Sequence, residues 1–228
     1  MLYICIAFSI IAPYLICSIN PAIIITRIKS GEDIRKLGSG GAGLTNTLRT
    51  QGKTAAVIVL LGDVLKGVAA VLLVALFCSI LFSCKELNCV ACRHGYYNAE
   101  LFMWIASLSS VLGHCFPVYY KFKGGKAVLV TVATGLVINW LAALSALIIF
   151  IIIVALTRYV SLGSIIAAAC YPICVALIGI FVRSDPNWYI GVIFTSIIAV
   201  ILIFMHRKNI VRLINKNEKK LGQSERKR

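Results

Sequence analysis

Long apolar runs alternate with short polar stretches along the whole chain. The runs cover residues 2–25, 54–82, 100–118, 127–157, 162–182 and 188–204. Several reach or exceed the roughly 20 residues that cross a ~30 Å hydrocarbon core. Lipid admits only helices and closed barrels, because every backbone polar group must be satisfied internally. The runs are continuous and show no period-two alternation, which predicts helices. The expected fold is therefore all-α, a polytopic integral membrane protein. Asp185-Pro186-Asn187 marks a turn between the last two runs. The N-terminal run has neither a basic start nor a clear small-residue cleavage site, so it reads as a retained span and not as a signal peptide.

Basic residues set the sides. Arg27, Lys29, Arg35, Lys36, Arg49 and Lys53 follow the first run. Lys121, Lys123 and Lys126 precede the fourth, Arg158 follows it, and nine Lys and Arg lie beyond His206. The positive-inside rule makes these stretches cytoplasmic; Lys85, Arg93 and Arg183 occupy the other side. The N-terminus is expected outside and the C-terminus in the cytoplasm. Run 127–157 tests this assignment. It holds roughly 31 residues, about 46 Å as one helix, too long for a single ordinary crossing. Lys126 and Arg158 flank it and belong on one side, which demands an even number of crossings. Two short helices of about 22 Å each, turning near Asn139-Trp140 and sheltered by protein or a thinned bilayer, meet that demand. The expectation is seven transmembrane helices in a membrane domain, 1–206, followed by a basic cytoplasmic tail, 207–228.

Composition agrees: 60% of residues are hydrophobic and the mean hydropathy is +0.94, too apolar for a soluble domain. A net charge of +15 on a soluble protein would suggest nucleic acid. Here loop charge and anionic lipid account for it, and no nucleic-acid partner is expected. Of the nine cysteines, Cys84, Cys89 and Cys92 cluster near His94. That is the minimum set for zinc, without a second paired motif, so no metal is assigned. A disulfide in an oxidising compartment is the other reading.

Four polar clusters fall on the cytoplasmic side. The first, GSGGAGLTNTLR from Gly38 to Arg49, contains Gly38-x-Gly40-x-x-Gly43, the spacing of a dinucleotide fingerprint. That fingerprint follows a strand and opens a helix in a βαβ unit. Here a charged stretch precedes it, and Asp63, which stands where a ribose-binding acid would, lies inside an apolar run. The nucleotide reading fails. The glycines can instead turn backbone N–H groups toward an anion. Ser39, Thr45 and Asn46 add short polar groups, and Arg49 adds a planar fork for phosphate. The plainer reading, a flexible loop with one cytoplasmic Arg, leaves this concentration of polar groups between glycines unexplained. The second cluster, GHCFPVYYKFKGGK, brings His114, Gly124, Gly125 and Lys126 to a membrane boundary. Gly-Gly permits a tight turn that aims Lys126, and His114 is a candidate acid or base, although interfacial histidines are often structural. The third, RYVSLGS, places Ser161 and Ser164 on one helix face, with an N-cap as the alternative role for Ser161. The fourth, HRKNIVR, carries Asn209. Asp63 and Lys66 inside a span read as a structural i,i+3 pair.

Taken together, these clusters resemble the bacterial acyl-phosphate-dependent glycerol-3-phosphate acyltransferases of the PlsY type. GSGGAGLTNTLR, LLGDVLKG, GHCFPVYYKFKGGKA, RYVSLGSI and HRKNIVRL occur in that family's order over essentially the whole chain. The resemblance implies transfer of a fatty acyl group from acyl phosphate to the 1-hydroxyl of glycerol 3-phosphate, giving lysophosphatidic acid and phosphate. It implies no cofactor, a multi-pass bacterial inner-membrane protein and an active site facing the cytoplasm. By motif position it makes Ser39, Arg49, Lys126, Ser164 and Asn209 essential, followed by His114 and Ser161. Gly40, Gly43, Thr45, Asn46, Gly124 and Gly125 would help bind substrate. His114 and a substrate phosphate oxygen both remain as acceptors of the hydroxyl proton. Two positions depart from the family: Gly41 replaces its usual Asn, and Ala127 its usual Gly. The rival readings are a transporter or channel for an anionic solute, which would place its site near mid-membrane, and a non-enzymatic scaffold.

Overall fold

The computed structural model describes residues 1–82 and 99–222, and these are helical throughout apart from short turns and loops. Cys84, Cys89, Cys92 and His94 lie outside the described residues. In chain order the helices are α1 (Leu2–Ser18), α2 (Pro21–Ser30), α3 (Leu44–Gln51), α4 (Lys53–Phe82) and α5 (Ala99–Cys115). They continue as α6 (Val128–Ile138), α7 (Trp140–Thr157), α8 (Val160–Phe181), α9 (Trp188–Met205) and α10 (Arg207–Ile214).

Among the described residues, six helical stretches are long and apolar enough to cross a membrane. The first is not a single helix, as run 2–25 suggests. It breaks after Ser18, and Asn20 caps α2 by accepting from the Ile23 N–H at 3.2 Å, with Pro21 at the first helical position. Asn disfavours a helix interior and Pro restricts the residue before it, so Asn-Pro is a start signal inside an apolar run.

Run 127–157 does divide at Asn139, whose side chain accepts from the Ala142 N–H at 3.2 Å. The halves are unequal, 11 residues in α6 and 18 in α7, about 16 and 27 Å long where the sequence suggests equal lengths. α6 is too short to cross by length alone, and protein shelters it. Val130, Thr131, Ala133, Thr134, Gly135 and Ile138 are buried. A side-chain carbon on Gly67 of α4 would approach Ala133 to 3.0 Å, and one on Gly135 would meet the Tyr171 ring and Ala143.

Two packed groups result. α1, α4, α5 and α6 form one, and α7, α8 and α9 the other; α5 against α9 and α6 against α7 join them. Phe102, Trp104, Val71 and Val74 fill the centre. Leu65, Leu72, Leu76, Ile148, Ile151, Leu156 and Val200 point outward, as expected where lipid and not water is the outer solvent.

Candidate active site

The loop Gly38–Gly43 is held from below by one side chain. Asn46, buried in the first turns of α3, donates through Nδ2 to the carbonyls of Ile34 (3.2 Å), Leu37 (3.0 Å) and Gly41 (3.0 Å), and accepts from the Ser39 N–H at 2.9 Å. Its amide is fully engaged within the loop, so here Asn46 organises the loop. Gly38 has φ +54, and a side chain there would collide with Asn46; Gly40 has φ +72. Both conformations favour glycine. The nest expected from the glycines is partly closed, because the N–H groups of Ser39, Gly40 and Gly43 bond inside the loop. Ser39 stays exposed, Gly43 precedes α3 in extended backbone, Thr45 lies half-buried in its first turn, and Arg49 stands one turn past Asn46.

The second cluster meets this loop directly. Gly124 N–H donates to the Cys115 carbonyl at 3.1 Å and Gly125 N–H to that of His114 at 3.0 Å. A side-chain carbon on Gly125 would lie inside contact distance of His114 Nε2 and 2.5 Å from the Ala42 carbonyl oxygen. These two glycines answer to lack of space and not to a left-handed turn. The left-handed residues are Lys121, Phe122 and Ala127, the last at φ +57. Arg35 bridges the same loops: its guanidinium donates to the Tyr120 and Lys123 carbonyls at 2.9 and 3.0 Å, and to Asp33 at 2.6–3.1 Å. The hydrogen bonds from Arg35 hold the Asp33 carboxyl down at about 2.

Beyond Gly125 the chain delivers Lys126 to the third and fourth clusters. Lys126 Nζ donates to Asn209 Oδ1 at 2.6 Å. Asn209 Nδ2 donates to Glu218 Oε1 at 2.7 Å, Ser161 Oγ to the same oxygen at 2.8 Å, and Arg212 Nε to Glu218 Oε2 at 2.7 Å. Arg49 reaches the Lys219 carbonyl at 3.4 Å. Arg49, Lys126, Ser161 and Asn209 therefore converge at one end of the bundle, around residues 218–219. Ser161 is not an N-cap; Tyr159 holds that position without a side-chain bond. Ser164, one turn on, donates to its own helix at Val160 O. His114 lies beneath, against Lys66 and Asp63.

Electrostatics follow from this crowding. Burial, with Arg212 and Arg49 nearby, pulls Lys126 down to about 8 although Glu218 opposes it. Burial raises Glu218, but the hydrogen bonds from Arg212, Asn209 and Ser161 outweigh that and hold it below the usual carboxylate range. Burial, then the neighbouring Lys126, lowers His206 to about 4, and its Nδ1 lies 2.8 Å from the Leu202 carbonyl. Among the described residues no group of three or more His, Cys, Asp or Glu is placed to hold a metal.

Arg35, Asp33, His206, Arg212 and Glu218 are the site neighbours that sequence reasoning missed. One signal was present. A chain of net charge +15 has only eight acidic residues, and two of them, Asp33 and Glu218, are paired with Arg35 and Arg212. Glu218 ties three site residues together. Glu218→Ala is expected to cost about 1–3 kcal/mol of stability by leaving charged and polar partners unsatisfied. Combined with Arg212→Ala, its loss should be clearly less than additive in thermal denaturation; full additivity would show that the contact carries no energy.

The family model for glycerol-3-phosphate acyltransferase matches residues 7–216. A glycerol-3-phosphate acyltransferase from Clostridioides difficile is 37% identical over 93% of this chain and 94% of its own. One from Geobacter sulfurreducens is 41% identical over 88% and 89%. The fold matches crystal structures of PlsY, an integral membrane glycerol 3-phosphate acyltransferase. Its glycerol 3-phosphate form has TM-score 0.75 and 30% identity, covering 95% of this chain and 96% of that one. Its lysophosphatidic acid form has TM-score 0.71 and 28% identity, covering 95% of each. With the motifs in order, their side chains at one end of the bundle and the family model spanning nearly the whole sequence, this chain belongs to the glycerol-3-phosphate acyltransferase family.

Proposed function

We propose that the chain transfers a fatty acyl group from acyl phosphate to the 1-hydroxyl of glycerol 3-phosphate, releasing lysophosphatidic acid and phosphate. The carrying observation is the meeting of Lys126, Arg49, Ser161, Asn209 and Arg212 at one end of a lipid-facing bundle. Both substrates bear phosphate, and this is where cations and short donors concentrate. Acyl phosphate is a mixed anhydride with a good leaving group, so direct attack by the hydroxyl needs no covalent enzyme intermediate. Lys126 and Arg49 clamp phosphate and offset charge on the departing group. Ser39, Ser164 and Asn209 orient oxygens, and Gly40, Gly43, Thr45, Gly124 and Gly125 shape the floor. The acyl chain lies among the exposed apolar side chains of the helices.

The topology we propose is seven-helical, with the N-terminus outside and the site in the cytoplasm at a bacterial inner membrane. Lys126 bonds Asn209, and Arg158 accepts from Leu221 N–H at 2.7 Å. Both ends of run 127–157 thus reach the same tail, which supports two crossings between them. The described part of the tail, 207–222, then acts as part of the site. The function is tested by mixing purified protein with palmitoyl phosphate and glycerol 3-phosphate. Lysophosphatidic acid is the expected product; turnover with acyl-CoA alone would overturn the donor assignment.

Protonation of Lys126 sets a pH limit. In the free enzyme it loses its charge near pH 8, so kcat/KM should fall as pH rises through that value. A bound phosphate favours the ammonium, so the basic limb of kcat should lie higher. Coincident limbs would show that Lys126 does not face phosphate. The stability effect has the opposite sign. The folded chain binds fewer protons at Lys126 than the unfolded one between about 8 and 10.5, so this group makes folding more favourable as pH rises there.

A further inference from the structure

Lys66 Nζ has three close neighbours: the Ile19 carbonyl at 2.7 Å and His114 Nδ1 at 2.9 Å within hydrogen-bond geometry, and Asp63 Oδ1 at 2.8 Å as an ion pair. An ammonium has three N–H donors and no lone pair. Asp63 Oδ1 meets the ammonium as an ion pair without hydrogen-bond alignment. The aligned donors therefore go to the Ile19 carbonyl and to His114 Nδ1, which must offer its lone pair to the 2.9 Å ammonium and not a proton to Asp63 Oδ1 at 3.5 Å. A neutral imidazole accepting at Nδ1 carries its proton on Nε2. All three side chains are buried, with relative exposures of 2% for Asp63, 8% for Lys66 and 3% for His114. The geometry is redundant: α4 supplies Asp63 and Lys66, the end of α1 supplies the carbonyl, and α5 supplies the ring.

The Nε2 edge faces the seam of the site. A side-chain carbon on Gly125 would strike both His114 Nε2 and the Ala42 carbonyl. His114 also holds Gly125 through its own backbone carbonyl at 3.0 Å. We propose that the Asp63–Lys66 pair locks His114 in the Nε2–H form, making it a hydrogen-bond donor and positioning residue at the junction of the two loops, and not the base that accepts the hydroxyl proton. A base needs a free lone pair within reach of the proton it takes. Nδ1 faces the Lys66 ammonium and Nε2 already bears hydrogen. The other titratable groups at the cluster, Cys17 on α1 and Cys115 on α5, do not take the place of Lys66: Cys17 donates to the Lys66 carbonyl at 3.8 Å and Cys115 is buried. The role in catalysis rests on the acyl-transfer reading above; the tautomer does not.

The test has two readouts. Full-length protein in detergent, labelled with 15N-histidine and assigned with His114→Gln, is expected to show His114 neutral at about pH 7, protonated at Nε2 and bare at Nδ1. An imidazolium, or a proton on Nδ1, overturns the proposal. Lys66→Met should release the tautomer and lower kcat/KM at least tenfold. In acyl transfer, His114→Gln places an amide N–H near the Nε2 position. It should keep activity within about tenfold and preserve the acid limb of the kcat profile; His114→Asn, which reaches only toward Lys66, should lose more. Equal losses of about a hundredfold or greater in both variants, with the acid limb gone, would identify His114 as the base. If the wild type shows the expected tautomer but makes no lysophosphatidic acid, the proposed function fails while the lock stands.

Discussion

Lys126→Ala should abolish detectable acyl transfer, and Arg49→Lys should nearly do so although it keeps the charge. Lys126 is the cation that meets Asn209 at 2.6 Å, and Arg49 lies beside the tail at Lys219. If the pair clamps phosphate, each loss removes charge stabilisation where it develops, worth about a hundredfold to a thousandfold or ~3–4 kcal/mol. An ammonium cannot reproduce the planar fork of Arg49. Lys121→Ala is the matched control, because that side chain sits in the exposed turn between α5 and α6 and makes no site contact. Turnover of purified variants with equivalent gel-filtration profiles decides the matter. Near-normal rates for both Arg49→Lys and Lys126→Ala would refute the clamp and favour the transporter or scaffold readings.

Gly125→Ala is the second large effect, and it comes from space rather than charge. The added methyl would meet His114 Nε2 and the Ala42 carbonyl together. Neither can yield cheaply. His114 is pinned by Lys66, and Ala42 is buried backbone whose carbonyl also accepts from Asn20 at 3.4 Å. The seam must open, moving Lys126, the next residue, away from Asn209. A shift of about 1 Å at a reacting centre costs on the order of a hundredfold. Gly41→Ala, whose nearest neighbour would be Ser39 Oγ at 3.8 Å, should lose little. Equal activity of the two variants would show that the loops do not need to touch.

These residues also show what a sequence can and cannot disclose. The Asn139 turn was legible because two flanking cations had to share a side, an argument of charge and length that needs no tertiary knowledge. The break at Asn20 carried a local Asn-Pro signal, masked by the apolar residues around it. The glycine-rich loop was legible as special, but not the duty of each residue. Asn46 reads as a ligand by type and serves as the loop's central tie, since its four partners are defined only once the chain has turned. Gly124 and Gly125 read as a turn and are instead a close approach. The scarcity of acids made Glu218 conspicuous, but its partners were out of reach, because its bond to Ser161 spans 57 positions. Ala127, where the resemblance leads one to expect Gly, takes the left-handed conformation a glycine would. Its strain of ~1–2 kcal/mol is offset in part by a buried methyl worth about 0.8 kcal/mol.

The contacts of Glu218 and Leu221 have a consequence for how the protein comes into being. Among the described residues, every stretch long enough to cross lipid ends by Met205, whereas the carboxylate that gathers Ser161, Asn209 and Arg212 is translated later. Membrane insertion and completion of the site are thus successive events in biosynthesis. A chain terminated between these points would anchor normally yet lack the piece that draws its polar groups together, so the amount of protein in the membrane and the amount able to work are separate quantities.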